Sequence, residues 1–288
     1  MLLTTSRHRL GRSSFLTQVA SSFFTQMAKY LEIVKITMVN QVVYVYDLFL
    51  GSFFMLVVMY VFVQLWRTTF AVTGQGIIDG FDLKRVLWYL TFTESLVLAA
   101  PRLTRKIDGE VKSGDVAYSL NKPYNYLLFH YAAFLGEWAV KFLINVFLGG
   151  LVVWWSVGPL ELNLPAWPGQ LLALVGGVTL FYLNMAALGL LAFWVEDASA
   201  FYLIYERSLW ILGGMLIPLD FFPPALRGVA SWIPFNFIIY GPAHLMTNFR
   251  LDFLWPLLTR QLLWIGFFAA LTTLLYRAGI RRLNINGG

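Results

Sequence analysis

Between residues 15 and 38 apolar side chains recur at steps of three or four: Leu16, Val19, Phe23, Met27, Leu31, Val34 and Met38. Gln18, Thr25, Gln26, Lys29, Glu32 and Lys35 take the other side. That period predicts an amphipathic helix. Lysine on its polar face suits a helix lying in the headgroup layer of a membrane, or one packed on a protein partner. Beyond residue 42 the alternation disappears. Six stretches, near 43–66, 86–101, 130–156, 169–195, 199–219 and 253–276, are apolar almost all round. Each is a candidate to cross a hydrocarbon layer roughly 30 Å thick, although the second is short and the third long.

The stretch at 217–242, IPLDFFPPALRGVASWIPFNFIIYGP, fits neither pattern: five of its 26 residues are proline, yet it is mostly apolar. Pro218 and the Pro223-Pro224 pair are expected to end the fifth helix, since proline lacks an amide proton and clashes with the preceding turn. ALRGVASW then forms a short helix that Pro234 stops, and Pro242 closes the stretch. Irregular backbone at membrane depth is tolerated only against protein or water. The segment therefore reads as a re-entrant pair of short helices packed on its own bundle. The expected fold is an all-α integral membrane protein. It has six transmembrane helices, an N-terminal interfacial helix, and a re-entrant segment between the fifth and sixth spans, all in one domain over 1–288.

Composition supports this. Of 288 residues 59% are hydrophobic and 12% charged, about half the charged share of a soluble domain. A net charge of +6 would suggest nucleic acid in a soluble protein. Here the charge is distributed by side. The N-terminal region, the 102–129 connection and the tail hold thirteen Lys and Arg, against five on the other side of the expected bundle. The positive-inside rule then makes both termini cytoplasmic. Trp66, Trp88, Trp154, Trp155, Trp167, Trp232 and Trp255 fall near the opposite boundary, as an aromatic belt does. The basic N-terminus runs into SSFLTQVASSFFTQ rather than an apolar h-region, so no cleaved signal is expected.

Chemistry is sparse. There is no cysteine, and His8, His130 and His244 have no carboxylates at metal-binding or acyl-transfer spacing. No HExxH, GxSxG or phosphate-binding GK[ST] loop occurs, so no catalytic residue, metal site or bound cofactor is expected of this chain. The ionisable residues within spans are Glu94, the Glu137/Lys141 pair, and Glu206 with Arg207. Charge at membrane depth has to face protein or water. Glu137 and Lys141 stand four apart and can pair on one helix face. Glu94, Glu206 and Arg207 are candidates for a substrate or ion pathway, in the manner of a secondary transporter or channel, and equally for structural roles. The connection RLTRKIDGEVKSGDVAYSLNKPYN (102–125) contains a possible helix from Val111 to Leu120, bounded by Lys122-Pro123. It is either a docking element or a plain loop.

Gly114-Asp115-Val116 through Leu120, Lys122 and Pro123, following the second span, resembles a GD[VI]xxxLxKP-like stretch. With the amphipathic N-terminal helix, six spans and GGMLIPLDFFPPALRGVASWIPFNFIIYGP, the chain resembles the permease subunits of bacterial type-2 ABC exporters. The resemblance implies that residues 111–123 (Val111, Gly114, Asp115, Val116, Leu120, Lys122 and Pro123) form a coupling helix seated in a separate ATPase. Two such ATPase subunits would bind ATP and Mg2+. It also implies a second permease, identical or related, and residence in the bacterial cytoplasmic membrane. It carries over no particular substrate, since members move drugs, lipids and polysaccharides; a hydrophobic, lipid-like or glycan substrate is expected, and no nucleic-acid partner. In the family, segments like 217–242 line the outer end of the path, so Pro218, Phe221, Phe222, Pro223, Pro224, Pro234 and Phe235 are either gate candidates or parts of a static plug that seals the bundle.

Overall fold

The structure, a computed structural model, describes residues 26–43, 45–161 and 163–286. Apart from an isolated bridge between Ile78 and Phe81, the regular structure among the described residues is helical. Helix α1 covers 26–43, and α2 runs Val45–Thr73. A turn at one end leads into α3 (Leu83–Leu98), which is capped by Asp82 accepting from the Arg85 N–H. Then come α4 (Leu103–Ser113), α5 (Asp115–Leu120) and α6 (Tyr126–Val157). They are followed by α7 (Trp167–Leu190), α8 (Ser199–Leu212), α9 (Pro224–Ala230), α10 (Pro234–Ile238), α11 (Tyr240–Thr247) and α12 (Leu251–Asn286).

Among the described residues, four helical stretches are long and apolar enough to cross a membrane: Leu50–Thr73, Tyr126–Val157, Leu164–Phe193 and Leu251–Arg282. The other two expected spans are shorter. α3 has 16 residues and α8 has 14, about 24 and 21 Å at 1.5 Å per residue. They differ in environment. α3 lies inside the bundle against α2, α6 and α11, with Thr91, Thr93, Glu94 and Ser95 all buried. α8 buries only Tyr205 and Leu209.

Small residues set the close crossings. A Cβ at Gly149 of α6 would run into Met55 of α2 and Thr91 of α3, and one at Gly177 of α7 into Pro242 and the Ile238 and Phe237 carbonyls. At Gly136 of α6, a Cβ would come 2.6 Å from the Val34 carbonyl oxygen and 2.9 Å from the Thr37 Cβ. This fixes where α1 crosses. Residues 15–25 of the expected amphipathic helix lie outside the described residues. Within α1 the less exposed stripe is Tyr30, Ile33, Val34, Thr37, Met38 and Gln41, so Val34 and Met38 of the expected apolar stripe face the bundle, while Met27 and Leu31 are 46% and 63% exposed. The glycine on α6 admits the helix backbone at Val34 and Thr37. The Asn125 N–H donates to the Tyr30 hydroxyl at 3.1 Å and holds its start.

Two further expectations are corrected. α8 does not run to Pro218; it ends at Leu212 in a Schellman turn, with Gly214 at φ +74, its N–H bonded to the Ile211 carbonyl, and the Met215 N–H to the Trp210 carbonyl. The Gly214 and Met215 carbonyls accept from the Tyr89 and Thr93 hydroxyls of α3. Nor does Pro242 close the segment, since it lies in the first turn of α11, where a missing N–H costs no helical bond. The 217–242 stretch has two parts. α9 is exposed, whereas residues 236–245 are continuously buried between α3, α7 and α12. Gln261 of α12 donates to the Phe237 and Ala173 carbonyls, both at 2.9 Å, and pins the buried part.

Candidate functional site

The polar connection after α3 folds into two helices. Leu103, Thr104, Ile107 and Val111 recur every three or four residues and are buried, on a helix that packs against α7. There Gly189 admits Ile107 and the Thr104 backbone, and the Thr104 hydroxyl donates to the Met185 carbonyl at 3.1 Å. The opposite face carries exposed Arg102, Arg105, Lys106 and Lys112. The single helix expected from Val111 to Leu120 is interrupted. Gly114, at φ +81, ends α4 and begins α5. That left-handed conformation is open to glycine at little cost, which is why the chain turns here.

Of the seven predicted coupling residues, Val111 and Val116 are buried and hold the element down, and Gly114 makes the corner. Asp115, Leu120, Lys122 and Pro123 are exposed. Asp115 opens α5, where a carboxylate favours the positive end of the helix, and it accepts from the Ser113 hydroxyl at 2.7 Å. With Tyr118 73% and Leu120 43% exposed, α5 presents a small apolar knob on a basic surface.

Sequence reasoning missed what fastens this knob to the bundle. One Glu110 carboxylate oxygen lies 2.6 Å from the Tyr126 hydroxyl and 2.9 Å from the His130 Nε2 of α6. The Tyr126 ring stacks on Tyr276 of α12, centroids 5.1 Å apart. Burial alone would raise the carboxyl pKa of Glu110, but hydrogen bonds from His130 and Tyr126, with the nearby charge of Lys106, outweigh it and hold the group below its ordinary value. One carboxylate thus joins α4 to α6 and, through Tyr126, to α12.

The intramembrane candidates do not form one site. Glu94 is buried on α3, and one of its oxygens has no hydrogen-bond partner. Glu206 is approached by the Tyr202 hydroxyl at 3.4 Å, and the Arg207 guanidinium lies 4.1 Å over the Trp210 ring. No ion pair or hydrogen bond links the three among the described residues. Glu137 and Lys141 pair at 2.6 Å on one face of α6, as their spacing predicts.

At the opposite end of the bundle, the gate candidates divide between connector and bundle. Pro218, Pro223 and Pro224 flank a short 3-10 turn, Leu219–Phe221, and the exposed helix α9. Phe221 packs on Trp66 and Phe81, at 5.4 and 5.7 Å between ring centroids, with Phe222 partly buried beside it. Asp220 accepts from Arg227 and from the Tyr240 hydroxyl, both at 2.8 Å, tying the connector to α9 and α11. Pro234 opens α10, and Phe235 meets Tyr205 of α8 edge to face.

Long apolar helices around a buried core, with a short two-helix element on the basic end, are the features of an integral membrane protein. The sequence matches the ABC-2 family transporter proteins over residues 56–287, and the chain belongs to that family. The matched region includes this element and leaves α1 outside. No curated protein matches the chain.

Proposed function

We propose that this chain is the permease subunit of an ATP-driven exporter, with α4–α5 as the coupling element that seats in a separate ATPase subunit. The observation that carries this reading is the lever itself. It presents Tyr118, Leu120 and Asp115 outward, while Val111, Val116 and Glu110 bind it to the bundle. A push on α5 therefore reaches α6, α7 and α12 through packed contacts. ATP and Mg2+ act in the partner, two ATPase subunits serving a pair of permeases.

In this reading α3 and α8 cross together with the four long helices, giving six spans in the inner membrane with both termini on the cytoplasmic side. The basic lever at one end and exposed Trp154, Trp155, Trp167, Trp232 and Trp255 at the other support that orientation. α1 lies along the inner leaflet. The α10–α11 turn is re-entrant. It meets Gly177 and Gln261, each ten residues from its helix start and so about 15 Å into the bundle. The open face of α8 is where a second permease, identical or related, packs. The substrate class is hydrophobic, lipid-like or glycan.

The test is reconstitution with the cognate ATPase. Leu120→Glu or Asp115→Lys is expected to leave insertion intact, to weaken capture of the ATPase, and to separate ATP hydrolysis from transport. Coupled transport at the wild-type rate in both variants would overturn the coupling assignment. ATP-independent transport by the chain alone, abolished in Glu94→Gln, would replace it with an ion-coupled carrier.

A further inference from the structure

A cavity of about 1000 Å³ opens where α1, α2, the α3–α4 corner and α6 meet. None of Glu94, Glu206 and Arg207 lines it. Its α6 wall is a stripe at helical spacing running from His130 through Glu137 and Lys141 to Asn145, about 22 Å along the helix axis. Across from this stripe stand Arg102 and Lys106 at the start of α4, with Gln41 and Ser52 on α1 and α2. Leu50, 64% exposed, and Leu98 supply an apolar edge. The cleft is thus polar on both sides, with an apolar edge at Leu50 and Leu98.

Its charge is unbalanced. Among the described lining residues three cations, Arg102, Lys106 and Lys141, face one carboxylate, Glu137, which Lys141 already engages at 2.6 Å. Glu110, one turn beyond Lys106, has an oxygen shared between Tyr126 and His130. Arg102 and Lys106 have no ion pair among the described residues. α4 also begins at Leu103, a lining residue, without a side-chain cap, so the positive end of the helix borders the same space.

We propose that this cleft binds the phosphate-bearing head group of an anionic membrane lipid. Arg102, Lys106 and the first turn of α4 hold the phosphate, and the acyl chains run along Leu50 and the outward face of α2. The phosphate supplies the negative charge that Glu137 does not, and the apolar edge accounts for a lipid rather than a soluble anion. The site uses the start of α4, away from the α5 face proposed to meet the ATPase and from the candidate gate, and it does not depend on what the permease exports.

The experiment titrates phosphatidylglycerol into the full-length chain in neutral detergent and counts bound lipid by native mass spectrometry. Arg102→Gln with Lys106→Gln is expected to weaken binding by about tenfold or more, each cation near a phosphate contributing on the order of fivefold. Arg105→Gln with Lys112→Gln removes the same charge from exposed positions of α4 outside the cleft and is expected to leave binding unchanged. If the first pair does not yield folded protein, Lys106→Gln alone serves, with an expected loss of about fivefold. Phosphatidylcholine should bind weakly, and sn-glycerol 3-phosphate should not compete at equal concentration. Equal losses in the two double variants, or none in either, would overturn the site. Effective competition by glycerol phosphate would overturn the lipid as its occupant.

Discussion

Glu110 is the residue on which the lever's attachment turns, because its carboxylate takes both the Tyr126 and the His130 contacts. Hydrogen bonds to a charged group contribute about 1.5–3 kcal/mol, and Glu110→Gln is expected to lose stability of that order at neutral pH. The sign of the pH dependence follows from the lowered pKa. The folded state binds the proton less readily than the unfolded state, so the contribution is complete above the ordinary glutamate range and fades as the pH falls through the folded value. Thermal midpoints of wild type and Glu110→Gln should converge only below about pH 4, and a gap that is constant with pH would show that the charge is not what binds. At this scale the sequence is readable only locally. Glu137–Lys141 is visible because both partners stand on one helix face. The Glu110 cluster is not, because its partners are 16 and 20 residues away beyond the Gly114 corner, and Tyr276 comes from the last helix.

Elements were legible wherever one physical signal dominated. Apolar runs mark the four long helices, and Lys122-Pro123 marks the end of the lever. Where two breakers compete, order along the chain decides. Gly213-Gly214 comes before Pro218 and ends α8 first, since hydroxyls on α3 are placed to satisfy the turn's carbonyls. The close approach of α1 was hidden for another reason: it depends on a glycine on α6 a hundred residues away. Gly136→Leu should therefore displace α1, at the cost of about 1–3 kcal/mol typical of overpacking. The chain contains no cysteine, so Thr37→Cys gives a single labelling site. Maleimide should modify it severalfold faster when Gly136 is also leucine, and unchanged labelling would mean that α1 is not held there.

For the whole molecule, composition and the asymmetry of charge point to a membrane bundle with a basic end, and the family match agrees with that class. The cleft between α1 and α6 escaped the sequence because it is made by the meeting of four elements rather than by any one motif. The shortness of α8 has a mechanical consequence. Its 14 residues span about 21 Å, less than a hydrocarbon layer of roughly 30 Å, and Tyr89 and Thr93 hold the turn that ends it. If α8 crosses the membrane as proposed, a lone protomer pinches the surrounding bilayer, at a cost that grows with thickness for every ångström of mismatch. On that reading, pairing two protomers through α8 would remove the deformed lipid. Single-molecule photobleaching in bilayers of increasing acyl-chain length should accordingly show a rising fraction of dimers, and a fraction independent of thickness would take α8 away from the interface. On the proposed pairing, membrane elasticity as well as contact chemistry would set how tightly the two halves hold.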